Sequence, residues 1–278
     1  MKLHFLGTAA AEGWPAVFCD CENCKRARKA KGKNYRSRAQ VLIDERILMD
    51  FGPDTFYHMM KYDLDLSAVD QVLLTHSHTD HFYPTELILR GFPYAYGRDR
   101  NKMTVYGNEK CHWMYLRTLE VEDDSDNLRD CVGFQEIRAF QSFSVLGYEI
   151  TPLKAVHDPK EECVIYLIKD EKGTTCLYGN DTAYFSEETW EALKGVSLDC
   201  VILDCTMGRE DTPCSSHMGI QSNRLAVKRM KEMGCITEKT SVIITHFSHN
   251  GGLLHEELEE AVKKDGYLVA YDGMEWEV

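Results

Sequence analysis

The sequence predicts an α/β protein in which β-sheets stack on one another and helices cover their outer faces. Three observations predict it. Short apolar runs bounded by turn residues recur along the chain, windows with 3.6-residue apolar spacing fall between them, and no linker, repeat or low-complexity segment divides the 278 residues. Consecutive strands interrupted by single helices suit stacked sheets beneath helical layers. At roughly 150 residues per domain the length allows one large domain or two small ones, and the lack of an internal boundary favours one spanning 1–278.

In chain order, 3–6, 41–49 and 71–75 read as strands because each is apolar and flanked by polar turn residues. The window 83–90 has helical spacing, with its proline confined to the first turn. A strand at 103–106 and a helix at 109–119 follow, then an acidic stretch at 120–130 rich in Ser, Asp and Asn, which reads as an inserted solvated loop. Strands at 133–137, 148–153, 164–169 and 174–178 precede a helix at 187–193, a strand at 200–203 and a helix at 219–233. The chain closes with strands at 242–245 and 267–271 around a helix at 254–264. The segment 25–38 carries eight basic residues and no acid, either a solvated helical face or a contact for an anionic substrate.

Hydrophobic residues make up 44% and charged residues 28%, which excludes a disordered, collagenous or coiled-coil chain. A net charge of -13 argues against broad attraction to nucleic acid or an anionic membrane. The sequence has no run of 18 apolar residues, and Gly7-Thr8 interrupts any signal-peptide core, so a soluble cytoplasmic protein is expected. The eleven cysteines then read as reduced thiols and metal ligands. Cys163, Cys176, Cys200 and Cys205 fall in or beside strand patterns and read as buried small apolar groups. His4, His58, His112 and His255 lack ligand-like neighbours, and Cys214 lies close to His217 without a base-nucleophile pattern that supports a thiol mechanism.

Chemistry concentrates in Thr75-His76-Ser77-His78-Thr79-Asp80-His81, just past a strand. Neutral imidazole and carboxylate suit zinc, manganese or iron, and a loop leaving a rigid strand can aim alternate side chains at one point. His157, Asp181 and His246 also lie past strand patterns, so strand ends can deliver them to a shared sheet edge. A second cluster, Cys19-Asp20-Cys21-Glu22-Asn23-Cys24, spaces three thiols to bind one zinc. His249, three residues beyond His246, is the candidate fourth ligand. A redox pair is the alternative, without the βαβ pattern that accompanies it.

The His-x-His-x-Asp-His loop followed by a later His, an Asp and a final His resembles the metallo-β-lactamase superfamily. That resemblance implies an αββα sandwich holding two divalent metals, manganese or zinc with iron as a further option. His76, His78 and His157 would hold one, Asp80, His81 and His246 the other, with Asp181 bridging. Asp50 in Leu48-Met49-Asp50-Phe51-Gly52 matches the family Asp that supports a ligand from behind. Gly7 to Pro15 followed by Cys19, Cys21 and Cys24 is similar to the PhnP-type phosphodiesterases, which hydrolyse phosphoribosyl cyclic phosphate. There the three cysteines and the His matching His249 hold a structural zinc, and the additional catalytic His falls on His217. Asp80 and His217 are thus the candidate catalytic residues, and a small anionic phosphodiester is the expected partner, without membrane or nucleic acid. A homodimer is compatible with the sequence.

Two departures bear on the substrate: Ala9-Ala10 replaces a more glycine-rich stretch, and the acidic insertion can reshape the pocket. A cofactor-synthesis branch of the superfamily also has a cysteine knuckle. A tRNA 3'-processing nuclease is the main rival, but it should carry a glycine- and proline-rich or basic arm, and this chain has only 7 prolines. Lactam or thioester hydrolysis ranks lower. A noncatalytic zinc-binding interaction module is disfavoured by retention of every candidate ligand.

Overall fold

The structure is a computed structural model and describes residues 1–96, 102–122, 127–210 and 216–278. Cys214 and the middle of the acidic stretch 120–130 lie outside the described residues. The strands are β1 (Lys2–Gly7), β2 (Gln40–Ile43), β3 (Ile47–Met49), β4 (Gln71–Leu73), β5 (Met103–Gly107), β6 (Val132–Glu136) and β7 (Phe143–Val145). Then come β8 (Tyr148–Lys154), β9 (Val164–Lys169), β10 (Thr175–Gly179), β11 (Cys200–Asp204), β12 (Ser241–Thr245), β13 (Leu268–Val269) and β14 (Met274–Glu277). The helices are α1 (Glu22–Ala30), α2 (Thr55–Tyr62), α3 (Glu109–Glu122), α4 (Asn127–Cys131), α5 (Glu187–Ala192), α6 (Ile220–Glu232) and α7 (His255–Val262).

Two mixed seven-stranded sheets form, ordered β14-β1-β2-β3-β4-β5-β6 and β13-β12-β11-β10-β9-β8-β7. Period-two alternation builds the layers. In β11, Cys200 and Ile202 join Leu3, Phe5, Val41, Met49, Tyr166 and Ile243 in the core between the sheets. Val201 and Leu203 point the other way, against Trp190 of α5 and Ala226 and Met230 of α6. Leu42, Leu48 and Val105 likewise pack under Cys111, Tyr115 and Leu119 of α3. Each buried Val, Leu, Ile, Phe or Met among them contributes roughly 1.5–3 kcal/mol. The stacked-sheet fold with helices outside is therefore the one expected.

Several elements differ from expectation. The run 41–49 is a hairpin, β2 and β3 paired antiparallel, because Asp44 and Glu45 turn the chain at φ of 45° and 60°. The window 83–90 is a 3-10 helix, Pro84–Arg90, and 267–271 shortens to the two residues of β13. The described ends of the acidic stretch 120–130 are helix and not loop: α3 runs to Glu122 and α4 begins at Asn127, with Leu128 buried in the core under the sheet. The basic segment 25–38 is mostly a solvated face: Lys25, Arg28 and Lys29 of α1, and Lys31 and Lys33 just after it, are exposed. Arg36 is buried and donates to Thr8 Oγ1 and Ala270 O at 2.7 Å each. Lys25, Arg26, Lys33 and Arg38 pair with Asp20, Glu257, Glu259 and Asp54. Among the described residues no helix is long and apolar enough to cross a membrane.

One edge of the stacked sheets collects the ends of β3 and β4 from one sheet and of β8, β10, β11 and β12 from the other, and Asp50, the His76 to His81 loop, His157, Asp181, Asp204 and His246 stand there.

Candidate active site

At that edge two groups of donors form around one carboxylate. His76, His78, His157 and Asp181 make one, and Asp80, His81, Asp181 and His246 the other, each with its donor atoms within 4.8 Å of one another. These are the residues the resemblance divides between two metals, with Asp181 shared. Asp181 Oδ2 lies 3.3 Å from His76 Nε2, 3.1 Å from His81 Nε2 and 3.8 Å from His246 Nε2. Its Oδ1 lies 3.3 Å from His157 Nδ1 and 2.9 Å from His217 Nδ1.

Behind the inward nitrogens stand polar anchors. His81 Nδ1 donates to Asp50 Oδ2 at 2.8 Å, while Asp50 Oδ1 accepts from the Thr75 amide at 2.8 Å and its hydroxyl at 2.9 Å. His76 Nδ1 lies 3.0 Å from Thr75 Oγ1, and His246 Nδ1 lies 2.7 Å from Thr206 Oγ1. Such contacts fix ring orientation and tautomer. His76 Nε2 is buried without an aligned hydrogen-bond partner, as befits an atom reserved for a cation. Asp50, Asp181 and His246 all take left-handed backbone conformations, at φ of 66°, 53° and 61°. Such strain costs about 1–3 kcal/mol per residue and clusters at functional sites.

Burial and neighbouring imidazoles keep His76 neutral, with its pKa well below the usual value, and burial also lowers His157. Burial opposes charge on His81, but Asp80 and Asp50 outweigh it and raise its pKa well above the usual value. The reverse holds for Asp80 and Asp181, whose buried carboxyls stay ionised beside His81 and His246 respectively. Imidazoles and ionised carboxylates are donors that suit divalent cations, and a cation bound here would displace the proton that Asp80 and Asp50 hold on His81.

His217 Nδ1 also lies 3.0 Å from Asp204 Oδ2. Burial disfavours its charge, yet Asp204 and Asp181 raise its pKa to about 11. Asp204 was not expected in the site. Its signal was an acid ending the apolar run Cys200-Val201-Ile202-Leu203, a position shared with the other strand-end residues.

A family model described as a beta-lactamase superfamily domain matches residues 45–247. The chain belongs to the metallo-β-lactamase superfamily. Among curated relatives, coenzyme PQQ synthesis protein B of Acinetobacter baumannii (strain ACICU) is 22% identical over 321 residues, covering 100% of both chains. Ribonuclease Z of Bacillus subtilis (strain 168) is 24% identical over 323 residues, covering 99% of this chain and 98% of its own. A crystal structure of a diphosphatase from the PhnP family superposes with a TM-score of 0.72 at 22% identity, covering 99% of this chain and 96% of the other. Superfamily members are metal-dependent hydrolases, and the His and Asp donors such chemistry uses are present here.

The cysteine knuckle falls outside the span matched by the superfamily domain, with Cys19, Cys21 and Cys24 before it and His249 after it. The structure brings these four together, their donor atoms within 4.8 Å of one another. Cys21 Sγ lies 3.3 Å from His249 Nδ1 and accepts from the Cys24 amide at 3.5 Å, capping α1. Burial works against the Cys21 thiolate, but Cys24 N–H and His249 lower its pKa to about 6, whereas burial pushes Cys24 up to about 11. A closed set of three thiols and one imidazole suits tetrahedral zinc. His4, His58, His112 and His255 join neither ligand group, and Cys163, Cys176, Cys200 and Cys205 are buried.

Proposed function

We propose that the chain is a dinuclear metal-dependent phosphodiesterase that hydrolyses small cyclic phosphodiesters such as phosphoribosyl cyclic phosphate. The observation that carries the reading is one carboxylate, Asp181, shared by two donor groups and touched at its outer oxygen by His217. His76, His78 and His157 would hold one cation, Asp80, His81 and His246 the second, and Cys19, Cys21, Cys24 and His249 a structural zinc. Two divalent cations, manganese, zinc or iron, supply Lewis acidity that neutralises phosphoryl oxygens and makes water acidic enough to attack near neutral pH.

The protein side chains do the rest. Water adds at phosphorus, the ring P–O bond breaks, and the departing sugar oxygen takes a proton to become a hydroxyl while the phosphate becomes a monoester. The charged ring of His217, whose Nδ1 lies beside Asp204 and Asp181, delivers that proton. Asp204 keeps the ring charged and oriented. Asp80 supports the acid and base balance at His81, 3.2 Å away, in addition to its place as a donor.

The net charge of -13 favours a small substrate over a polyanion, since the acidic excess opposes a long run of phosphates. The similarity to the PhnP-family diphosphatase supports phosphate chemistry, and the similarity to ribonuclease Z makes precursor tRNA the competing substrate to test. Metal-loaded protein should be assayed against cyclic phosphodiesters, linear phosphodiesters, precursor tRNA and thioesters. The highest kcat/KM is expected on the cyclic ribose phosphates; comparable efficiency on precursor tRNA would overturn the reading.

A further inference from the structure

We propose that Glu161 is a positioning residue that fastens the loop bearing His76 and His78 to the loop bearing His157, and so sets cation affinity in that half of the centre. The proposal rests on the reading that these three histidines hold a divalent cation.

Glu161 stands four residues after His157, between β8 and β9, and its side chain is only 2% exposed. A buried carboxylate is costly unless its oxygens are fully paired. Here each oxygen accepts two bonds. Oε1 takes the Ser77 hydroxyl at 2.6 Å and the Lys110 ammonium at 3.2 Å. Oε2 takes the Ser77 amide at 3.0 Å and the Asn108 side-chain amide at 2.7 Å. Ser77 lies between His76 and His78, so Glu161 holds the backbone on which both rings stand. Asn108 anchors the other side: its Oδ1 accepts from the Cys111 amide at 2.9 Å in the first turn of α3.

Asp158 makes a second tie between the same loops. Its Oδ2 lies 3.3 Å from His78 Nε2, leaving His78 Nδ1 to face His157 Nε2 at 3.2 Å. Asp158, Glu161 and His78 are close enough to hold a cation among themselves, but Lys110 already fills that role, 3.8 Å from Asp158 and 3.2 Å from Glu161.

The other half of the centre does not depend on this clamp. Its His81 and His246 are steadied by Asp50 and Thr206. Loss of Glu161 therefore acts on one cation and spares the other. A residue that merely supports the fold would weaken both alike.

Cation binding to wild-type protein, Glu161→Ala, Glu161→Gln and Ser77→Ala, each with the knuckle zinc retained, separates the two. Cobalt(II) serves as probe, read by calorimetry and by its visible spectrum. Wild type should bind two cobalt ions at the active site. Glu161→Ala should weaken one step about 10- to 100-fold, the range for groups that support metal ligands, and leave the other within about threefold. Glu161→Gln keeps the volume and one acceptor oxygen, folds, and should lose less affinity at the same step. Adding Ser77→Ala to Glu161→Ala should cost little more, because both remove one shared contact. Equal weakening of both steps, or none in the folded Glu161→Gln protein, would overturn the proposal. Failure of the wild type to bind a pair of ions would instead overturn the metal reading beneath it.

Discussion

The Nδ1 of His217 has two carboxylates within 3.0 Å, which favour the charged imidazole that a general acid must start from. If its role is to protonate a sugar oxygen, its importance should scale with how poorly that oxygen leaves. General acid catalysis typically contributes about 100- to 10,000-fold. His217→Ala should lose on that order with a sugar-linked phosphodiester and much less with a nitrophenyl phosphodiester, at unchanged metal content. Equal losses with both leaving groups would reduce His217 to a packing residue. The imidazoles of this site were legible because three fall within six positions and the others follow strands in a recognisable order. Asp204 and Glu161 were not, because a single acid at a strand end or in a loop has no partner in sequence. Their partners, His217 and Ser77, lie 13 and 84 residues away.

At the scale of elements, β3 continues past Met49 into a segment that grips the His loop. Phe51 N donates to His81 O, and Tyr83 N donates to Phe51 O, both at 2.7 Å. Gly52 permits that approach: a Cβ there would meet the Asp80 carbonyl at 2.1 Å. Gly52→Ala should therefore displace the His loop and lower metal occupancy more than its small change in size suggests, which metal analysis of the purified variant would test. Helix α2 adds a pH dependence. His58 is buried between Ser37 Oγ and Gln40 Oε1, at 2.7 Å from each, and burial depresses its pKa from 6.5 to about 4. Between those values the unfolded chain binds the extra proton, so stability present above pH 6.5 is lost as pH falls toward 4. Between pH 7 and 5 the loss is about 2 kcal/mol. A His58→Gln variant should show a correspondingly flatter urea stability between those pH values; an unchanged slope would remove His58 as the cause. Most central strands were legible from their apolar runs. Helix α1 was not, since only Cys24 and Ala27 of its nine residues are buried and its first turn is organised by the knuckle. The edge strands β7 and β14 are three and four residues long, too short for a periodic signal.

Across the whole molecule, the two kinds of donor site have different structural duties. The knuckle ties the N-terminal segment to the turn after β12: Asn23 Nδ2 donates to His249 O at 2.9 Å, and Phe247 N donates to Thr8 O at 2.8 Å. That same turn carries His246 into the active site. A closed set of four protein donors holds zinc tightly and contributes to folding, whereas an active-site pair must leave positions for water and substrate and so exchanges faster. With zinc in the knuckle and a cation pair in the active site, as proposed, brief exposure to a chelator should abolish turnover while the zinc and the thermal unfolding midpoint persist. Longer exposure should remove the zinc, lower the midpoint, and loosen His246 with it. Cys21→Ser should reproduce this second stage by lowering thermal stability, while Asp181→Ala should abolish turnover with little change in the midpoint. Metal content and unfolding midpoint followed against time would show the two stages directly. Loss of thiolate-bound zinc together with the first fall in activity would mean that the two sites do not differ in lability, and that the knuckle is not the tighter fastening of this edge.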